Sequence, residues 1–223
     1  TPTKKRWNHL PRFLYYIGKR AGPRWLMQLR LEKFTPGEAA SITAVKQETV
    51  HNWRRLGHLP KPIGHARYNL AQVLVMFVMG TLVSRGTAAE AATKIASEAA
   101  RATYQSAIWN DRAYSPAAHA QAKADLGADA HRIDVLEHMA KAALRLAGIE
   151  DERHPNWLII WADGSLELLY EGENADEEFF SNVDHSQPFA QGPIVVFCLG
   201  AIARMVIDLL PRPAFDLVEE AQQ

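Results

Sequence analysis

The chain contains a single cysteine, Cys198, so a disulfide within it is excluded. A lone thiol inside an apolar run is more typical of a small core residue than of a redox sensor. The longest apolar stretches, around Leu70–Val83 and Ile194–Ala203, are shorter than the roughly 20 residues that span a membrane. No signal-peptide pattern opens the sequence. We therefore expect a soluble, cytoplasmic protein without a membrane partner.

Signatures of catalysis are also missing from the sequence. It has no Gly-rich phosphate loop, no nucleophile elbow and no His-Glu-x-x-His pair, so nothing recommends an enzyme or a cofactor. His131, Asp134 and His138 share one helical face at a spacing that suits a divalent metal. Without a third strong ligand, this arrangement fits a solvated helix face better, and we predict no metal site.

The formal net charge is zero, yet the charges are segregated along the chain. Residues 1–67 hold 14 basic and three acidic residues, a net of +11, while the remainder holds 11 basic and 22 acidic residues. A basic third joined to an acidic remainder is typical of a module that binds a polyanion and carries a second domain. Chance segregation of solvated charge is the alternative interpretation.

Three segments have the spacing of a capping box, in which a side chain at the helix start and a Glu or Gln three residues later cap each other. They are Thr35–Glu38, Asn69–Gln72 and Thr87–Glu90. Glycines Gly57 and Gly86 lie where the preceding helices should end. The sequence thus predicts short helices from residue 36, a helix from residue 70 and an alanine-rich helix over 87–108.

A helix over Gln47–Leu56 has one apolar and one polar face. The apolar side chains, expected to pack on the first helix through Ala39, Ala40 and Ile42, are Val50, Trp53 and Leu56. The polar face carries Glu48, His51, Asn52 and Arg55, spaced i, i+3, i+4 and i+7. This division is typical of a recognition helix, since Asn suits adenine while Arg suits guanine or phosphate. The proline-rich segment 59–68 that follows predicts a stiff loop ending in a cation and a phenol.

Residues 34–60, FTPGEAASITAVKQETVHNWRRLGHLP, followed by RYNLAQV, resemble the DNA-binding domain of the MerR family and its excisionase-like relatives. The resemblance implies a winged helix-turn-helix that reads double-stranded DNA with helix 47–56 and wing 60–68. Residues at or near the implied DNA contacts are Lys46, Gln47, Glu48, Thr49, His51, Asn52, Arg54, Arg55, His65, Arg67 and Tyr68. MerR-type metal sensors use clustered cysteines, so that mode of sensing is not available here.

Three positions depart from the family pattern. Ala44 replaces the usual turn glycine, Lys46 replaces the usual serine cap of the recognition helix, and His51 stands where arginine is frequent. Dimerisation in the family uses a long helix after the winged domain. Here the candidates are residues 87–108 and the apolar stripe over 133–147, and either can instead be a core helix within one chain.

The character of the sequence changes after Pro155. Residues 157–161 and 166–170 predict two strands around an Asp-Gly turn, with a third strand at 194–197 and a helix over 199–210. The aromatics Trp157, Trp161, Tyr170 and Phe197 suit either core packing or an apolar effector pocket. The acidic run 171–178 suits a solvated loop or, as a minor alternative, a phosphate mimic that docks on the basic third.

We expect a mainly α fold with a smaller α+β part: an N-terminal winged helix-turn-helix, a long connecting helix and a C-terminal domain with a small antiparallel sheet and helices. The predicted divisions are 1–33 (basic aromatic extension), 34–86 (winged helix-turn-helix), 87–130 (alanine-rich connector) and 131–223 (C-terminal α+β domain). We expect the C-terminal domain, 131–223, to serve oligomerisation or to bind a small-molecule or protein effector.

The function we expect is a homodimeric, sequence-specific DNA-binding transcriptional regulator. The alternatives are a phage-type architectural DNA-binding protein, such as an excisionase or a packaging subunit, a ligand-binding C-terminal module addressed to DNA, and a protein–protein adaptor.

Overall fold

A computed structural model describes residues 27–60, 65–150, 155–170, 177–184 and 186–218. Its α-helices are α1 (Pro36–Thr43), α2 (Gln47–Arg55), α3 (Leu70–Ser84), α4 (Ala89–Ala107), α5 (Pro116–Leu126), α6 (Arg132–Ala147), α7 (Glu177–Ser181) and α8 (Leu199–Leu209). Its strands are β1 (Leu29–Leu31), β2 (Pro155–Ile160), β3 (Leu166–Tyr170), β4 (Val195–Cys198) and β5 (Phe215–Leu217). The predicted class, mainly α with a smaller α+β part, is confirmed.

Two of the three predicted capping boxes form. The Thr35 hydroxyl accepts from the backbone of Glu38, whose carboxylate accepts from the Thr35 N–H at 2.7 Å. Asn69 and Gln72 cap the start of α3 in the same way. The third box was wrong: α4 begins at Ala89, with Ala88 at the N-cap and no side-chain cap bond. The N–H of Thr87 instead donates to Leu82 O, which closes the end of α3.

Helix α3 lies at the centre of the fold and is buried around most of its circumference. It packs on α1 and on the alanine-rich α4, and α4 packs in turn on α8 and β2. Small side chains on α4 allow this close packing. At Gly80 a built Cβ would lie 2.5 Å from a methyl of Val45, so the missing side chain lets α3 approach the turn before α2.

One cluster of buried apolar side chains extends from Met27 to Phe215. It includes most apolar side chains of both α4 and α6, so each of these helices packs in the core of one chain, although Ile133 at the start of the predicted stripe is 71% exposed. The predicted boundaries at 86/87 and 130/131 cross this continuous core, and the division into domains stays a prediction.

The three-stranded sheet has the order β3-β2-β4, with both pairings antiparallel. The predicted Asp-Gly turn is present: Gly164 has a φ of +84° and the Ser165 N–H donates to the Asp163 carboxylate. Leu158, Ile160 and Phe197 join the main core, while Trp161 lies in a second cluster on the other face with Phe179, Phe180 and Phe189. Trp161 and Phe197 are each 6% exposed, so both serve as core.

Strands β1 and β5 form a separate antiparallel ladder, which the sequence analysis did not predict. It pairs the segment immediately before α1 with the segment after α8. Leu29 faces Leu217, and Leu31 faces Phe215. Ser115, the N-cap of α5, donates from its hydroxyl to Asp216 and from its backbone to Phe215 O. The β5 segment therefore connects α5 to the region that leads into α1.

No helix among the described residues is both long and apolar enough to cross a bilayer.

Candidate nucleic-acid interface

Helix α2 presents the predicted division into two faces. Val50 and Trp53 are buried at 6% and 5% exposure, against a core that includes Ala39 and Ile42. Leu56, expected on the same apolar face, is 59% exposed, and that prediction was wrong. The reason is that α2 ends at Arg55, and Gly57 turns the chain away with a φ of +84°.

The turn between α1 and α2 carries an unusual backbone conformation. Ala44 has a φ of +55° and a ψ of +17°, the left-handed region that favours glycine. Lys46 follows as the N-cap of α2 and makes no side-chain cap bond, because an ammonium group cannot accept one. Two of the three departures, Ala44 and Lys46, thus lie at the start of α2, and the helix is held in the core by Val50 and Trp53.

A solvent-open cleft of about 580 Å³ separates α2 from the start of α1 and the segment before α3. It is lined by Pro36, Gln47, Glu48, His51, Asn52, Arg54, Ala66 and Tyr68. Five of the sequence-predicted contacts on α2 therefore share this cleft with Tyr68. On the helix, Gln47, His51 and Arg54 form one row, while Glu48, Asn52 and Arg55 form the next row outward.

Arg54 is the most strongly positioned cation of the cleft. Its guanidinium carbon lies 4.8 Å from the centre of the Tyr68 ring, a cation–π contact. Its Nε is buried without a hydrogen-bond partner in the described part of the chain. Tyr68 itself is 4% exposed and exchanges backbone hydrogen bonds with Phe34 at 2.7 and 2.9 Å. The ring therefore holds the guanidinium in place while leaving its charge uncompensated.

The acidic side chains of this region are mostly neutralised by other parts of the protein. Glu38 pairs with Arg212 at 2.6 Å, and Glu32 pairs with Arg30 at 3.2 Å and with Arg212 at 3.6 Å. Glu48 is the exception: within residues 27–60 and 65–68 it is the acid without a hydrogen bond or ion pair. The face around α2 is consequently basic, with one free carboxylate in the cleft.

The remaining predicted contacts lie at the edges of the cleft. Lys46, Arg55, His65 and Arg67 are exposed, and Thr49 is half-buried. Residues 61–64, the middle of the predicted wing, lie outside the described residues, so the wing stays a prediction. The residues that follow this segment support a loop that turns back toward α1, since Tyr68 forms an antiparallel β-bridge with Phe34 immediately before that helix.

Two cleft residues, Pro36 and Ala66, were missed by the sequence analysis. Neither has a polar side chain that would mark it as a binding residue. They line the cleft only because the fold places them against α2. Arg212 was missed for a different reason: it follows Glu38 by 174 positions, and nothing in its local sequence marks it.

Two other sites were considered from the sequence, a metal site and an apolar effector pocket. Within the described residues no group of three or more His, Cys, Asp or Glu side chains could hold a metal ion. His138 instead contacts Asp125 on the neighbouring helix at 3.3 Å. Trp161, a candidate for an effector pocket, is packed among Phe179, Phe180 and Phe189 and donates to Glu167 at 3.0 Å.

A comparison with protein-family models agrees with this location. Residues 34–99 match a family model described as MerR HTH family regulatory protein. The matched segment covers less than a third of the chain and extends from Phe34 into α4. A comparison with curated proteins finds no match.

Proposed function

We propose a role for this chain from one premise: residues 34–99 form a helix-turn-helix domain of the MerR family of regulatory proteins. In general terms the domain is that of a DNA-binding transcriptional regulator. The finer proposal is that α2 enters the major groove and that the cleft beside it binds the DNA backbone. The role proposed is binding rather than catalysis.

The observation that carries this proposal is Arg54 beside Tyr68. A guanidinium held over an aromatic ring, with no anionic partner among the described residues, is pre-oriented for a phosphate or a guanine edge. Paired acids nearby do not compete with DNA, because Arg30 and Arg212 already neutralise Glu32 and Glu38. Lys46, Arg55 and Arg67 are exposed and add salt-dependent attraction.

Base discrimination is assigned to the polar row of α2. Asn52 is exposed, and its side-chain amide can accept a hydrogen bond from adenine N6 while it donates one to adenine N7. We expect Asn52→Ala to relax the preference at one base pair by about 1–3 kcal/mol. Arg67→Ala should instead weaken binding to all sequences alike.

Titration of fluorescent duplexes, a selected binding sequence and a scrambled one, measures both effects. Equal losses on both duplexes for both variants would overturn the assignment of roles. A wild-type chain that retains no DNA at low salt would overturn the function itself.

We also propose that the chain acts as a homodimer, by the two-fold logic of DNA half-sites. The long helices expected for this purpose, α4 and α6, bury most of their apolar side chains within one chain. Among the described residues, exposed apolar side chains such as Ile133 on α6 are available for the dimer contact. Sedimentation with and without the selected duplex tests the stoichiometry: two chains per duplex support the proposal, and one chain contradicts it.

A further inference from the structure

We infer that Glu48 makes the reading helix selective for cytosine in the major groove and penalises binding to DNA that lacks one at that position. This inference rests on the proposed function. It concerns a single side chain whose charge is opposite to that of every other charged group assigned to the interface.

The position of Glu48 requires an explanation. It is exposed, lines the cleft, and makes no hydrogen bond or ion pair in the described part of the chain. The other two acids between residues 27 and 60 are paired with arginines. A free carboxylate facing a polyanion weakens electrostatic attraction, and such attraction supplies most non-specific affinity.

A role in helix stability alone does not require this exposure. Glu48 lies in the first turn of α2, where a negative charge stabilises the helix by about 0.3–1 kcal/mol. Glu38 also lies in the first turn of its helix, one position further in, and there the carboxylate caps the backbone and binds Arg212. The carboxylate of Glu48 is left for a ligand.

The chemistry of the groove selects that ligand. An ionised carboxylate only accepts hydrogen bonds, so it is repelled by phosphates and by the acceptors of guanine and thymine, and at adenine the N7 acceptor lies beside the N6 donor. The N4 amine of cytosine donates in the major groove, and Glu is its usual partner. Glu48 therefore lowers the affinity for all DNA, and contact with cytosine recovers this loss only at sequences that carry one. In this way an unfavourable charge can improve specificity.

The helix also sets the spacing of the bases that are read. Asn52 follows Glu48 by four residues, about 6 Å along the axis, and base pairs rise about 3.4 Å. The cytosine and the adenine read by Asn52 should therefore lie one or two base pairs apart.

Selection from a random duplex library with the full chain tests this inference, using the wild type, Glu48→Ala, Glu48→Gln and Glu90→Gln. Glu90 is an exposed acid in the first turn of α4 and serves as the matched control. The wild type and Glu90→Gln should both select a near-invariant cytosine. Glu48→Ala should lose that preference, about 10- to 100-fold, and should bind random DNA about 3- to 10-fold more tightly.

Glu48→Gln, which keeps the shape of the side chain, should shift the selected base from cytosine toward adenine. A selected sequence that stays the same in both Glu48 variants would overturn the inference while leaving the proposed function intact. Weaker binding of Glu48→Ala to random DNA would overturn it as well. No selected sequence for the wild type would instead overturn the proposed function.

Discussion

Arg212, in the loop between α8 and β5, donates to both carboxylate oxygens of Glu38 in the first turn of α1, at 2.6 and 3.3 Å. The same guanidinium donates to the carbonyl of Lys33 and lies 5.0 Å from the centre of the Phe34 ring. Glu38 in turn caps the Thr35 N–H. The segment after α8 therefore holds the start of the helix-turn-helix, beside the β1–β5 ladder.

Replacing Arg212 by Gln should lower the free energy of unfolding by about 1–2 kcal/mol, because charge-assisted hydrogen bonds and a cation–π contact are lost together. Urea unfolding measures the change. Arg204→Gln, an exposed arginine on α8, is the control and should change stability by less than about 0.5 kcal/mol. Equal effects of the two variants would show that the Arg212 contacts do not stabilise the fold.

The same pair makes stability depend on pH. The Arg212 guanidinium, helped by the Thr35 backbone, lowers the pKa of Glu38 from 4.5 to about 2. Since the folded pKa lies below the unfolded value, the stabilisation is present in full above pH 4.5 and is lost as the pH falls toward 2. Thermal unfolding between pH 6 and pH 2.5 should therefore show a steeper loss for the wild type than for Glu38→Gln. Parallel curves would contradict this linkage.

Ala44→Gly should stabilise the protein by about 1 kcal/mol. An alanine in the left-handed region is strained by roughly that amount, and glycine removes the strain despite its greater freedom in the unfolded chain. Ala40→Gly, within α1, is the control with the opposite sign and should destabilise by about 1 kcal/mol. Thermal and urea unfolding measure both variants, and a destabilised Ala44→Gly would exclude strain at this turn.

The sequence predicted those elements whose signals are local. The capping residues Thr35 and Asn69 lie within three residues of their partners, and the turn at Gly164 lies between two clear strands. The capping box predicted at Thr87 does not form, because the backbone N–H of Thr87 donates to Leu82 O at the end of α3. Strands β1 and β5 were not predictable, since each has only three residues and its partner is distant in sequence.

The candidate site also has some features with local sequence signals and others that depend on residues distant in sequence. The polar row of α2 could be predicted from helical spacing, and the cleft brings most of it together. The pairing of Glu32 and Glu38 with Arg212 could not, because it joins residues more than 170 positions apart. Because of that pairing, Glu48 is the acid within residues 27–60 that has no ion pair among the described residues. The electrostatic character of the candidate interface therefore depends on the tertiary fold.

Arg54→Gln should weaken binding to specific and random duplexes by similar factors and reduce the slope of log K against log salt by about 1. The physical reason is the loss of one pre-oriented cation whose Nε has no hydrogen-bond partner among the described residues. Arg145→Gln, an exposed arginine near the end of α6, is the control and should leave the slope unchanged. A loss confined to the specific duplex would mean that Arg54 contacts a base instead.

The variant Tyr68→Phe keeps the aromatic ring and removes the hydroxyl, so it tests the roles of the two groups separately. If the ring positions Arg54, this variant should keep the wild-type salt slope and nearly the wild-type affinity. A loss of about tenfold or more would show that the hydroxyl donates to a phosphate. Fluorescence anisotropy over a series of salt concentrations measures both quantities.

Amide hydrogen exchange of the full chain, with and without a selected duplex, tests the central claim most directly. We expect added protection at residues 47–55 and 65–68, with α5 and α6 unchanged. Protection confined to the C-terminal half, or none at α2 under saturating DNA, would contradict the assignment of this cleft as the DNA-binding surface.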